Sequence, residues 1–152
     1  MSGEAKRLAD QHERAYTGPA WSGPAVIEVL RGVNAHKAFA RPIERAHSIV
    51  EVVLHMATWE DAVARRIGGE DARPTDAEDW PPPGSPGEPA WKRALSNLEG
   101  RHRALQKILA ALAEDRLEAA APGQEYTIYV MVQGAIQHLL YHAGQIALLA
   151  KA

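Results

Sequence analysis

The chain's 152 residues fit one domain, 1–152, long enough to bury a core without covalent staples. It has no cysteine, which excludes a disulfide framework and any thiolate metal site. Its 17 Lys and Arg against 19 Asp and Glu leave a formal charge of −2, so there is no basic surface for nucleic acid or an anionic membrane.

The opening MSGEAKRLADQHERAY is polar, and no stretch approaches the ~18 uninterrupted apolar residues of a membrane span, so a cytoplasmic location is expected. Helical spacing runs from about Glu4 to Tyr16, until the two Gly-Pro steps of TGPAWSGP (17–24) break it. Ser22, with Pro24 behind it, predicts the cap of a short apolar helix through PAVIEVLRGV. NAHKAFARP follows as another short piece, closed by Pro42. From Ser48 the pattern is firmer: Ser48 and Glu51 make a capping box, Ile49, Val52, Val53, Met56, Val63 and Ile67 recur at helical spacing, and Gly68-Gly69 ends the run. The acidic, Pro-rich segment 68–89 is expected to be a connector, the other role for so long a loop being functional. Trp91, Leu95, Leu98, Leu105, Ile108 and Leu112 mark a helix over 90–112. After a turn through EDRLEAAAPG, Thr127 predicts the cap of a last helix reaching about Leu149. With no alternating strand pattern and no internal repeat, the expected fold is all-α, a four-helix bundle with a long Pro-rich connector.

The last helix poses a question of chemistry. GAIQHLLYHAGQIALL (134–149) is almost wholly apolar, yet it holds His138 and His142 one turn apart. On a helical wheel Thr127, His138, His142 and Gln145 fall within about 60° of one another. Two imidazoles at i and i+4 lie about 5–6 Å apart at Cβ and can reach one ion. Seven histidines in 152 residues make one such pair unsurprising, so spacing leaves two readings open. The pair ligates a metal, or it consists of core-edge imidazoles hydrogen-bonded to Gln145 and a neighbouring helix.

His55 is the one further histidine on a strongly amphipathic helix, at the border of its apolar stripe with Trp59 one turn on. His47 is two turns, about 12 Å, from His55 and cannot share its ion unless the chain bends. His12, His36 and His102 lie on polar stretches and are expected to be solvated. Glu60 falls near the centre of the apolar face of 48–67, where a buried carboxylate must be paired or ligating, and a bond onto the metal site is one role for it. Gln145 is placed to orient a bound water or substrate, and Trp59 and Tyr141 are expected as core aromatics or pocket wall.

Together, HSIVEVVLHMATWEDAVARRIGG and, some eighty residues on, YTIYVMVQGAIQHLLYHAGQIALLAKA closely resemble the DinB-like (DinB/YfiT) family, whose members are regarded as metal-dependent enzymes. The likeness extends to the GPAWSGP loop, the ARPI step and the Pro-rich connector. The family's motif, a histidine on the second bundle helix and HxxxH on the last, falls on His55, His138 and His142. The resemblance implies an up-down-down-up bundle in which these three imidazoles hold a divalent ion, zinc or nickel, or else manganese or iron. Ser22 stands where some relatives carry a histidine.

Three neutral imidazoles leave such an ion doubly positive with an open position, as catalytic sites do. Bound water with a pKa near ~7 would serve a hydrolase. An external low-molecular-weight thiol, the chain having none, would serve a transferase. There is no HExxH to supply a glutamate base. The alternative is a non-catalytic stress-response or binding protein with a vestigial or structural site. A small-molecule substrate is the expected partner. A homodimer is also expected, because the last helix is apolar around most of its circumference.

Overall fold

Side chains at the helix starts decide where two of the long elements begin. In this computed structural model, which describes residues 3–152, Ser48 accepts the N–H of Glu51, and the Glu51 carboxylate accepts the N–H of Ser48 at 2.7 Å. The Thr127 hydroxyl accepts the N–H of Val130 at 3.3 Å. Met1 and Ser2, the first residues of the expected 1–152 domain, lie outside the described residues.

All regular structure among the described residues is helical: α1 (Glu4–Thr17), α2 (Val26–Leu30), α3 (Ala35–Phe39), α4 (Ile49–Ile67), α5 (Asp76–Asp79), α6 (Glu88–Ala110) and α7 (Ile128–Lys151), with a 3-10 turn at Glu114–Arg116. The all-α expectation therefore holds. Two isolated bridges, Ala20 with Gly23 and Ala120 with Thr127, are the β-type pairings found. No helix of the described residues is long and apolar enough to cross a membrane.

The second helix is shorter than expected and Ser22 does not cap it. Ser22 is exposed in a turn closed by the N–H of Gly23 on the Ala20 carbonyl, and α2 starts after Ala25, whose N–H donates to Glu28 at 3.2 Å. α3 is capped by Asn34 and ends before Pro42.

The four long helices share one core. α4 lies against α6 and α7, and α1 lies against the same two from the other side, with α2 filling in against α1 and α7. Ile49, Met56, Leu98, Leu105, Leu109, Ile128, Leu139 and Ile146 are wholly enclosed between them. Burial of this much apolar side chain is the main stabilising term.

Segment 68–89 is more than a connector. Thr75 and Glu78 form a capping box that starts α5, and the Glu78 carbonyl accepts the Thr58 hydroxyl of α4 at 2.8 Å. These bonds hold the end of α5, with Asp79 and Trp80, against the middle of α4.

Candidate metal centre

His55 comes from α4, and His138 and His142 from consecutive turns of α7, the helix that α4 lies against. Their Nε2 atoms converge: that of His138 lies 3.0 Å from those of both His55 and His142. The outer nitrogens of two of the rings are turned to oxygen. His55 Nδ1 donates to the Asp79 carbonyl and carboxylate, both at 2.9 Å, and His142 Nδ1 donates to Gln145 Oε1 at 2.7 Å. Trp80 lies flat on the His55 ring at 3.9 Å and on His47 at 3.6 Å, so His47 joins the site by stacking.

This bonding pattern tests whether a cation fits. A neutral imidazole carries one proton, and in His55 and His142 the acceptors at Nδ1 draw it outward, leaving two lone pairs on the inner nitrogens. The single proton of His138 cannot satisfy both. Burial, with His142 and His55 beside it, pushes His138 down to about 3. Burial and the nearby His55 push His142 down to about 4, against the Gln145 bond. His138 and His142 are thus held neutral, and His55 and His142 turn lone pairs inward, the state a divalent cation requires.

The cluster opens on a cavity of about 500 Å³ that runs along α4 and α7, walled by Trp59, Val63, Met131 and Ala135. Arg66 and Tyr126 also line it.

The other expected residues take different places. Gln145 is engaged by His142, so it positions that ring and does not face a ligand through Oε1. Glu60 lines the cavity, but its carboxylate bonds to neither His55, His138 nor His142. Its oxygens meet His12 Nε2 at 3.0 Å and His102 Nδ1 at 3.0 Å. Trp59 is a cavity wall and donates to the Asp79 carboxylate at 2.6 Å. Tyr141 is 65% exposed and is no core aromatic, its ring meeting His142 edge-on.

The expectation that His12 and His102 are solvated is wrong: they are 0% and 1% exposed. His36 is exposed, as expected. The signal was register. His12 continues the buried α1 stripe of Leu8, Ala9, Ala15 and Tyr16, and His102 falls between Leu98 and Leu105 on the buried face of α6.

His12, Glu60 and His102 also bring three ligand atoms within 4.8 Å of one another, as do His55, His138 and His142. Their hydrogen bonds suit protons rather than a cation. Gln106 Nε2 donates to the Ala9 carbonyl at 2.9 Å, which orients its amide, and to His12 Nδ1 at 2.7 Å, so His12 keeps its proton on the nitrogen that faces Glu60. His102 faces carboxylate oxygens with both nitrogens, Glu60 at 3.0 Å and Glu13 at 2.9 Å. Burial alone would raise the Glu60 carboxyl, but His12 and His102 hold it below the ordinary carboxylate range.

A family model described as the DinB superfamily matches residues 20–146, most of the chain and all three converging histidines. The chain belongs to the DinB superfamily. No curated protein and no solved structure matches it. Within this DinB protein the family resemblance and the geometry meet at His55, His138 and His142, the group whose protonation suits a metal.

Proposed function

We propose that this DinB protein is a divalent-metal-dependent enzyme acting on a small molecule, with His55, His138 and His142 as ligands to zinc or nickel. The observation that carries the reading is the convergence of three Nε2 atoms, with His138 and His142 held neutral and His55 and His142 pinned from behind, at the edge of the 500 Å³ cavity. The long helices are read as the up-down-down-up four-helix bundle of a single domain. A bound divalent cation there supplies charge that polarises a carbonyl and ionises a coordinated thiol or water.

The chain's own residues orient and enclose. Asp79 and Gln145 fix the planes of two ligands, and Trp80 covers His55. Trp59, Val63 and Met131 keep the cavity wall apolar. The cavity carboxylates are already engaged, Glu60 by two histidines and Asp79 by His55 and Trp59, so neither stands free as a general base. That favours an external low-molecular-weight thiol as nucleophile, since a thiol with a free pKa near ~8.5 ionises far more easily than water. Hydrolysis is the second reading.

The test is metal analysis of protein purified without a histidine tag, then turnover of thiol-plus-electrophile, ester and amide substrates with and without added Zn²⁺, Ni²⁺, Mn²⁺ or Fe²⁺. Stoichiometric metal with metal-dependent thiol consumption is expected. Metal without turnover of any class leaves a structural or vestigial site in a binding protein. Failure to bind metal overturns the reading.

The same proposal includes a cytoplasmic homodimer. Val130, Tyr141 and Leu148 lie on one face of α7 and are 51%, 65% and 69% exposed, an apolar stripe that a second copy would cover. Light scattering that returns 16.6 kDa at micromolar concentration removes this part.

A further inference from the structure

Arg66 is a buried cation with no anion beside it among the described residues. It is 5% exposed, and among the described residues no carboxylate lies within 4.0 Å of its guanidinium. Its Nε donates to the Ala72 carbonyl at 2.9 Å, its Nη1 donates to the Tyr126 hydroxyl at 2.8 Å, and its guanidinium carbon lies 5.5 Å from the Trp59 ring centre. Among the described residues Nη2 has no hydrogen-bond partner. No enclosed side-chain nitrogen or oxygen of the described residues lacks a partner, so Nη2 is not sealed in protein. The opening available to it is the cavity that Arg66 lines. Tyr126 accepts from Arg66, which leaves its own hydroxyl proton to donate, and it lines the same cavity.

We propose that Arg66 and Tyr126 form a carboxylate-binding subsite at the far end of this cavity, and that the ligand is a carboxylic acid with an apolar body. Buried charges are paired in folded proteins, and an unpaired one next to a cavity calls for its counter-charge from a ligand. Nη2 and the Tyr126 hydroxyl supply two donors for two carboxylate oxygens. One guanidinium balances one carboxylate, whereas a phosphate dianion would leave a charge against Val63 and Met131. The wall between the two ends is apolar except at Glu60, whose carboxylate is bonded to His12 and His102. His55 and Arg66 stand eleven residues apart on α4, about 16 Å of helix at 1.5 Å per residue, so the head group lies away from the histidines while the body extends toward them. The inference rests on the proposed function only for what happens at the histidine end.

The experiment is isothermal titration calorimetry of octanoate and octanol on chelator-treated protein, alongside a separate titration with Zn²⁺ alone. Octanoate is expected to bind about tenfold or more tightly than octanol, the loss of one charge-assisted contact. Arg66→Met should bring octanoate to the octanol level, and Tyr126→Phe should weaken octanoate while leaving octanol unchanged. Arg66 also holds the Ala72 carbonyl, so if circular dichroism shows Arg66→Met unfolded, the ligand pair and Tyr126→Phe decide. Equal binding of octanoate and octanol, binding of neither, or full octanoate affinity in a folded Arg66→Met overturns the subsite. Those outcomes leave the Zn²⁺ titration untouched, and failure of Zn²⁺ to bind overturns the metal reading without touching octanoate.

Discussion

Asp79 grips His55 twice: its backbone carbonyl and its carboxylate each lie 2.9 Å from the same Nδ1. The carboxylate also accepts the Trp59 indole N–H at 2.6 Å, so one residue of the Pro-rich segment orients a histidine and a cavity wall on α4. Residues that orient metal-ligating histidines typically govern affinity by 10–100-fold. Asp79→Ala keeps the carbonyl and is expected to weaken Zn²⁺ binding by about tenfold, the low end of that range. Competition with a chromophoric chelator measures it, and unchanged affinity would remove the segment from the site.

Replacing His55, His138 or His142 by Ala should each weaken metal binding by about tenfold or more in the same assay. The control is exposed His36→Ala, expected to have no effect. His102 is unsuitable as a control, because its burial makes any substitution a test of folding. Equal metal binding by all three variants and the control returns His138 and His142 to hydrogen-bonded core-edge residues.

Glu60→Leu tests the second cluster. It removes the acceptor shared by His12 and His102, and breaking a buried ionic network from one side costs about 3–5 kcal/mol. Urea unfolding should show that loss, with Zn²⁺ affinity of the folded fraction unchanged. A parallel drop in affinity with little change in stability would make Glu60 part of the metal site.

The metal-free protein should become less stable below about pH 6.5. His138 and His142 have folded pKa values of about 3 and about 4, against ~6.5 in the unfolded chain. Between those values the unfolded state binds more protons, so stability is full above about pH 6.5 and falls as pH drops toward the folded values. Glu60, held low, adds a loss below the unfolded carboxylate value. Urea midpoints from pH 7.5 to pH 4.5 measure the slope, which His138→Gln with His142→Gln should flatten. For these two ligands proton competition with metal moves below the free-histidine range near ~6.5 in which sequence reasoning would put it.

Chelation should leave the helices standing. The core of α1, α4, α6 and α7 closes without the histidines, so the loss is the linkage term, about 2.7 kcal/mol at free metal a hundred times Kd. A thermal melt with and without chelator at pH 7.5 checks this, and unfolding at room temperature would make the ion structural.

Local rules were enough to read the long helices, though not the start of α2, which Ser22 does not cap, or α5. The Ser48–Glu51 box, the Thr127 cap and the Gly68-Gly69 stop act within a few residues of chain, and the structure follows all three. The spacing of His138 and His142 was legible for the same reason, since four residues make one turn, and His55 was added by resemblance and by its place on α4. What the rings face was not legible. Asp79 and Trp80 reach His55 because α5 folds back on α4, a return that a Pro-rich composition does not encode. His12 and His102 look solvated among charged neighbours, and only the docking of α6 against both α1 and α4 turns their stripes inward to Glu60. Glu60 stated the need for partners, because a carboxylate on an apolar face must be paired, but one helix cannot say which other helix supplies them. Arg66 likewise reads as an ordinary charged residue near a helix end, and its lack of an anion exists only once the chain around it is closed.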